Sequence, residues 1–117
     1  MVKLKNRPAI RQYIIEIFGL PQKILLHCPS IENHINKIIK LLNLKILKRS
    51  YYNFKPFGAT ILYVLSASHL SVHTWPENNY LHLDLFVCSS AKPKCNLGNV
   101  IKKVFKTDNF LIRQVKY

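Results

Sequence analysis

ATILYVLSASHLSVHTWPENNYLHLDLFVC, residues 59–88, is the stretch that decides the fold. Residues 59–65 carry the Ile, Leu, Val and Tyr of a buried strand, and the small residues Ser66, Ala67 and Ser68 then turn the chain. Residues 69–74 alternate apolar with polar, Pro76 breaks the run, Asn78 and Asn79 favour a turn, and residues 80–88 form a further strand. With Trp75 facing Tyr80 across that turn, the register sets His82 opposite His73 and Cys88 opposite Ala67, beside Ser68. The preceding hairpin, turning at residues 66–68, brings Thr60 alongside Thr74 and so near His73. Three antiparallel strands are thus expected to gather a hydroxyl, an imidazole and a thiol around one turn.

The flanks complete the architecture. Tyr13, Ile14, Ile15, Ile17 and Phe18 make a strand of residues 10–18, which stops at Gly19 and Pro21. Ser30 follows Pro29 and caps a helix whose Ile31, Ile35, Ile38, Ile39 and Leu42 recur at helical spacing as far as Asn43. Residues 45–54 read as a strand, and Pro56 with Gly58 as a turn. Beyond a loop around Pro93, Leu97, Val100, Ile101, Val104 and Phe105 form one face of a second helix, and residues 110–115 return as the last strand. The order β-α-β-β followed by β-β-α-β predicts an α+β two-layer sandwich, an antiparallel sheet with two helices on one face. The other face needs a cover. Because its middle strands carry few polar positions, a second copy of the chain is the natural one, giving a homodimer.

The 117 residues make a single domain, 1–117, and an apolar content of 49% excludes a disordered tail. Eighteen Lys plus Arg against five Asp plus Glu leave a formal charge of +13, which points toward a polyanion. Tyr51, Tyr52 and Phe54 near Lys48, Arg49 and Lys55 would suit a nucleic-acid surface, yet no recognised nucleic-acid motif accompanies them. A lysine-rich solvated surface is the simpler reading, and no nucleic-acid partner is expected. The basic start of the chain lacks the apolar core of a secretory signal, and no apolar run approaches the roughly 20 residues of a membrane span. A cytoplasmic protein is expected. Its three cysteines, Cys28, Cys88 and Cys95, are an odd number and are read as reduced thiols.

Polar, reactive side chains concentrate between Ser66 and Cys88. His69 and His73 are four apart on a strand, with no second ligand pair at metal spacing, so no metal is expected. Ser68 lacks the surrounding G-x-S-x-G of an acyl-transfer nucleophile. Taken alone, Cys88 is an ordinary small hydrophobe; beside Ser68 it becomes a candidate for chemistry.

The run Ser68-His69-Leu70-Ser71-Val72-His73-Thr74-Trp75-Pro76-Glu77, followed by Asp84-Leu85-Phe86-Val87-Cys88, resembles the bacterial and archaeal S-adenosylmethionine decarboxylase proenzyme family. Weaker agreement continues at Phe54, Pro56 and Gly58. The resemblance implies a chain that cuts itself between Ala67 and Ser68. The Ser68 hydroxyl attacks the Ala67 carbonyl, the amide becomes an ester, and elimination followed by hydrolysis leaves a pyruvoyl group at position 68. His73 corresponds to the base of this processing, and Thr60 stands where the family has an assisting serine. The mature enzyme would then be a pyruvoyl-dependent decarboxylase of S-adenosylmethionine in polyamine and spermidine synthesis, whose ketone forms a Schiff base with the substrate amine. No external cofactor and no metal is implied. Cys88 corresponds to the proton donor, Phe54 to a ring stacked on adenine, and Glu77 to an acid near the bound substrate. In the family the active sites lie at a dimer interface.

One position departs from the pattern. The residue before the cut is usually a glutamate that contacts the ribose hydroxyls, and here it is Ala67. Its carboxylate would contribute charge-assisted hydrogen bonds of about 1.5–3 kcal/mol each, so nucleoside recognition is weakened or re-routed. The departure leaves open a shift toward arginine or ornithine as substrate, or an unprocessed homologue.

Overall fold

In the computed structural model, which describes residues 4–88 and 96–117, two-residue alternation becomes one sheet. The elements run β1 (Ile10–Ile17), α1 (Gln22–Leu25), α2 (Cys28–Leu41), β2 (Ile46–Asn53), β3 (Ala59–Leu65), β4 (Ser68–Trp75), β5 (Tyr80–Cys88), α3 (Leu97–Phe105) and β6 (Phe110–Gln114), with a single 3-10 turn at Pro76–Asn78 joining β4 to β5. The six strands lie in the order β2-β3-β4-β5-β1-β6, with every neighbouring pair antiparallel. The expected α+β two-layer sandwich is therefore the observed one. The loop around Pro93 and Cys95 lies outside the described residues.

One face of the sheet is the core. Ile15 and Ile17, then Ile61, Tyr63 and Leu65, then Leu70 and Val72, then Leu81, Leu83 and Leu85 are all buried, each on the same side by strand parity. The helices cover them with Leu25, Ile31, Ile35, Ile38, Ile39, Val100, Ile101 and Phe105. Each large side chain buried in this way contributes about 1.5–3 kcal/mol, which fixes the register of every strand that supplies one. Thr74 is the buried polar exception: its hydroxyl donates to the Leu25 carbonyl at 2.8 Å and accepts from the Ala59 N–H at 2.9 Å, tying β4 to α1 and to the start of β3.

Three details differ from expectation. A one-turn helix, α1, precedes the main helix; at four residues it is too short to display a hydrophobic period. The main helix begins at Cys28, with His27 as its extended N-cap and Ser30 inside the first turn. There the Ser30 hydroxyl accepts from the His27 N–H (3.1 Å) and donates to the His27 carbonyl (2.6 Å), closing the helix end from within. The β3–β4 hairpin turns on two residues, Ser66 and Ala67, so Leu65 pairs with Ser68 and Thr60 pairs with His73 instead of Thr74. Ala67 makes the tight loop possible by adopting a left-handed φ of 56°, a conformation that costs a residue with a Cβ roughly 1–2 kcal/mol.

Among the described residues, no helix covers the second face. Along it stand Gln12, Ile14 and Glu16 of β1, Thr60, Leu62 and Val64 of β3, and the odd-numbered residues of β4 beside the even-numbered ones of β5. Among the described residues, no helix is long and apolar enough to cross a membrane.

Candidate active site

The polar residues of residues 59–88 fall into two groups. The first lies at the β3–β4 turn. Ser68 opens β4 on the strained Ala67 backbone, and its hydroxyl oxygen accepts a hydrogen bond from the Cys88 N–H at 3.3 Å. The Cys88 side chain, at the end of β5, is exposed. The register read from the Trp75–Tyr80 turn is the observed one, from Trp75↔Tyr80 through His73↔His82 to Ser68↔Val87.

The second group is centred on His73, in the middle of the open face. Thr60 Oγ1 lies 2.9 Å from His73 Nδ1, in a hydrogen bond whose direction follows the tautomer. His82 is directly opposite His73 on β5, with ring centroids 6.3 Å apart, and its buried Nδ1 has no hydrogen-bond partner among the described residues. Burial holds the His73 imidazole below the usual histidine range; neighbouring His82 pushes it further down, and Asp84 pulls it partly back. Asp84 itself accepts a hydrogen bond from Gln12 at 3.0 Å. Opposite His82 on β1 is Glu16, which accepts from the Tyr80 hydroxyl at 2.8 Å and from Arg113 at 2.7 Å.

One chain does not bring these two groups together. Ser68 and His73 are five positions apart on the same strand, which at about 3.3 Å per residue is roughly 16 Å. The odd separation also points them to opposite faces, as burial of Leu70, Val72 and Thr74 between exposed His69 and Trp75 attests. Of the expected gathering of hydroxyl, imidazole and thiol around one turn, the structure shows the Ser68 hydroxyl against the Cys88 backbone N–H, while His73 stands apart with Thr60.

Aromatic side chains flank the His73 group. Phe18, Trp75, Asn78 and Tyr80 line a shallow recess at one end of the open face, with the Trp75 and Tyr80 rings 5.5 Å apart. Phe54 is exposed just past β2, its ring 4.9 Å from that of Tyr52, and Tyr52 pairs with Thr60. Glu77 is exposed in the turn after Trp75. Sequence reasoning passed over Glu16 and the Phe18 wall of the recess. Both belong to the first strand and its exit, whose pairing with β5 no local pattern announces.

Comparison with known proteins gives concordant results. A family model described as S-adenosylmethionine decarboxylase matches residues 11–116. The S-adenosylmethionine decarboxylase proenzyme of Fervidobacterium nodosum is 32% identical over 97 residues, covering 83% of this chain and 71% of that protein. The proenzyme of the same description from Clostridium botulinum is 30% identical over 103 residues, 88% of this chain and 84% of its own length. The crystal structure of the adenosylmethionine decarboxylase of Aquifex aeolicus superposes with a TM-score of 0.79 at 23% identity, covering 93% of this chain and 90% of that one, a likeness of fold.

Proposed function

The chain belongs to the S-adenosylmethionine decarboxylase family, and on that premise we propose that it is a self-processing, pyruvoyl-dependent decarboxylase of S-adenosylmethionine in polyamine synthesis. The observation that carries the reading is the Ala67–Ser68 junction, where a serine follows a residue held at positive φ and its hydroxyl oxygen receives the Cys88 N–H. The Ser68 oxygen attacks the adjoining Ala67 carbonyl carbon, the peptide C–N bond breaks, and the acyl group passes from nitrogen to oxygen. The Cys88 N–H steadies the oxygen as it sheds its proton, since a hydrogen bond strengthens when its acceptor gains charge. Ground-state strain at Ala67 is relieved once the peptide bond is gone, which favours the forward direction.

Removal of the residue 68 α-proton then expels the ester carboxylate of Ala67, and hydrolysis of the resulting dehydroalanine releases ammonia and leaves a pyruvoyl group. This step needs an unprotonated base. Burial and the adjacent His82 keep His73 uncharged at neutral pH, and with hydrogen on Nδ1 the ring donates to Thr60 and leaves Nε2 free to accept the proton. Because His73 and Ser68 of one chain face opposite ways, this proton transfer requires the start of β4 to turn residue 68 toward the open face once the ester has formed. Exposed Leu62, Val64 and Leu111, with the flanking aromatics Tyr52 and Trp75, support the open sheet face as the homodimer contact around which two such sites form.

Once generated, the pyruvoyl ketone supplies an electron sink for loss of the substrate carboxylate, and it comes from the chain itself with no metal. Cys88, exposed beside position 68, donates the proton to the substrate carbon. Phe54 presents a ring for the adenine, and Glu77 a carboxylate for the positively charged substrate. Ala67 offers no acceptor to the ribose hydroxyls. Intact mass spectrometry tests the processing. The wild-type chain is expected as residues 1–67 plus a pyruvoyl-blocked 68–117, and Ser68→Ala as one uncut chain; an uncut wild type refutes it. Carbon dioxide release from S-adenosylmethionine, set beside arginine and ornithine, tests the substrate, with S-adenosylmethionine expected to be turned over fastest.

A further inference from the structure

A single cross-strand row spans the open face: Tyr52 on β2, Thr60 on β3, His73 on β4, His82 on β5, Glu16 on β1 and Leu111 on β6. We infer that His82 is a positioning residue which, paired with His73 across β4 and β5, keeps the neighbouring imidazole in the uncharged form that a proton acceptor requires. The inference rests on His73 being the processing base.

Three observations carry it. His82 is the cross-strand partner of His73, and rings 6.3 Å apart on a half-buried surface cannot both be protonated without mutual repulsion. Its Nδ1 is buried with no partner among the described residues, so no hydrogen bond there explains an imidazole, and an apolar side chain would pack at that point without the orphaned nitrogen. The carboxylates within reach are already engaged. Glu16, opposite His82, is held by Arg113 and Tyr80, and Asp84 by Gln12. Among the described residues, the other groups on this face that can carry charge are His69 of β4, Lys48 of β2 and the thiol of Cys88 on β5, together with the tyrosines Tyr52 and Tyr80, and Thr60 of β3 is neutral. The lowered basicity of His73, to which His82 contributes after burial, agrees with this arrangement.

The decisive experiment uses the uncut Ser68→Ala chain, in which the titration of the His73 ring is followed by NMR with and without His82→Gln, a neutral replacement. Loss of His82 is expected to raise the pH at which His73 protonates, whereas Asp84→Asn is expected to lower it. With Ser68 intact, the acid limb of the processing rate against pH should move in the same directions. An unchanged His73 titration in His82→Gln overturns the inference, as does a loss of rate that is equal at every pH. Should His82→Gln fail to fold, His82→Asn makes the same test. If wild type is never cut, the processing reading fails, while the NMR titration still decides whether the two imidazoles are coupled.

Discussion

Replacing Thr60 with valine removes one oxygen and keeps a β-branched side chain suited to its strand. The lost contact is the 2.9 Å hydrogen bond to His73 Nδ1. While His73 is neutral that bond stabilises the protein by about 1 kcal/mol, but as the ring takes up a proton the bond becomes charge-assisted and rises to about 1.5–3 kcal/mol. Only the difference, about 0.5–2 kcal/mol, acts on the barrier, and at 1.36 kcal/mol per tenfold in rate processing in Thr60→Val is expected to slow roughly 2- to 30-fold. Thr60→Ser keeps the hydroxyl and should lose no more than a few-fold. The assay follows the fraction of uncut chain over time by intact mass, with urea unfolding of both variants in the Ser68→Ala background to show that global stability is not the cause. Equal processing rates in the valine and serine variants would refute the assignment of His73, held by Thr60, as the base.

Thr74→Val leaves the Ala59 N–H and the Leu25 carbonyl buried without partners; a loss of about 2–4 kcal/mol is expected, seen in calorimetry as a fall in Tm of roughly 8–16 °C. His34 stacks on Phe105 with ring centroids 5.2 Å apart, and burial, aided by Lys37, lowers its proton affinity in the folded state. The unfolded chain therefore takes up that proton first. The contribution of His34 to stability is complete above the ordinary histidine value of about 6.5 and falls as pH drops from there through the lower folded value, so His34→Phe should flatten that part of the pH–stability curve measured by urea unfolding. Ala67→Glu restores an acceptor for the ribose hydroxyls at a position whose backbone already bears a Cβ at positive φ. KM for S-adenosylmethionine is expected to fall about tenfold, from one regained hydrogen bond of about 1.5 kcal/mol, and an unchanged KM would remove Ala67 from the ribose pocket.

Much of residues 59–88 was legible because burial of one sheet face writes a period of two, and because Pro76 and Asn79 mark a turn from which the β4–β5 register follows. The neighbouring hairpin was read one residue off: Ser66, Ala67 and Ser68 all suit a turn, and alanine gives no hint that it will adopt a positive φ. His27 at the start of α2 was hidden by the stronger general preference of serine for the N-cap, a preference Ser30 serves from inside the helix. The separation of Ser68 from His73 was available by parity alone, since an odd count along a strand reverses the face. The Glu16 end of the row was not, because it depends on β1 entering the sheet between β5 and β6, a pairing between segments distant in the chain.

That same strand order determines what the proposed self-cleavage would do to the folded chain. A cut after Ala67 assigns β1, β2 and β3 to one product and β4, β5 and β6 to the other, so the order β2-β3-β4-β5-β1-β6 alternates between products at three seams. The two pieces are laced through each other, and neither holds a contiguous sheet once they part. Severing the chain there would leave the interlaced native sheet in place but turn refolding from a one-body into a two-body event. The uncut Ser68→Ala protein should recover from urea at any concentration, while the processed protein should recover only in proportion to how often its halves meet.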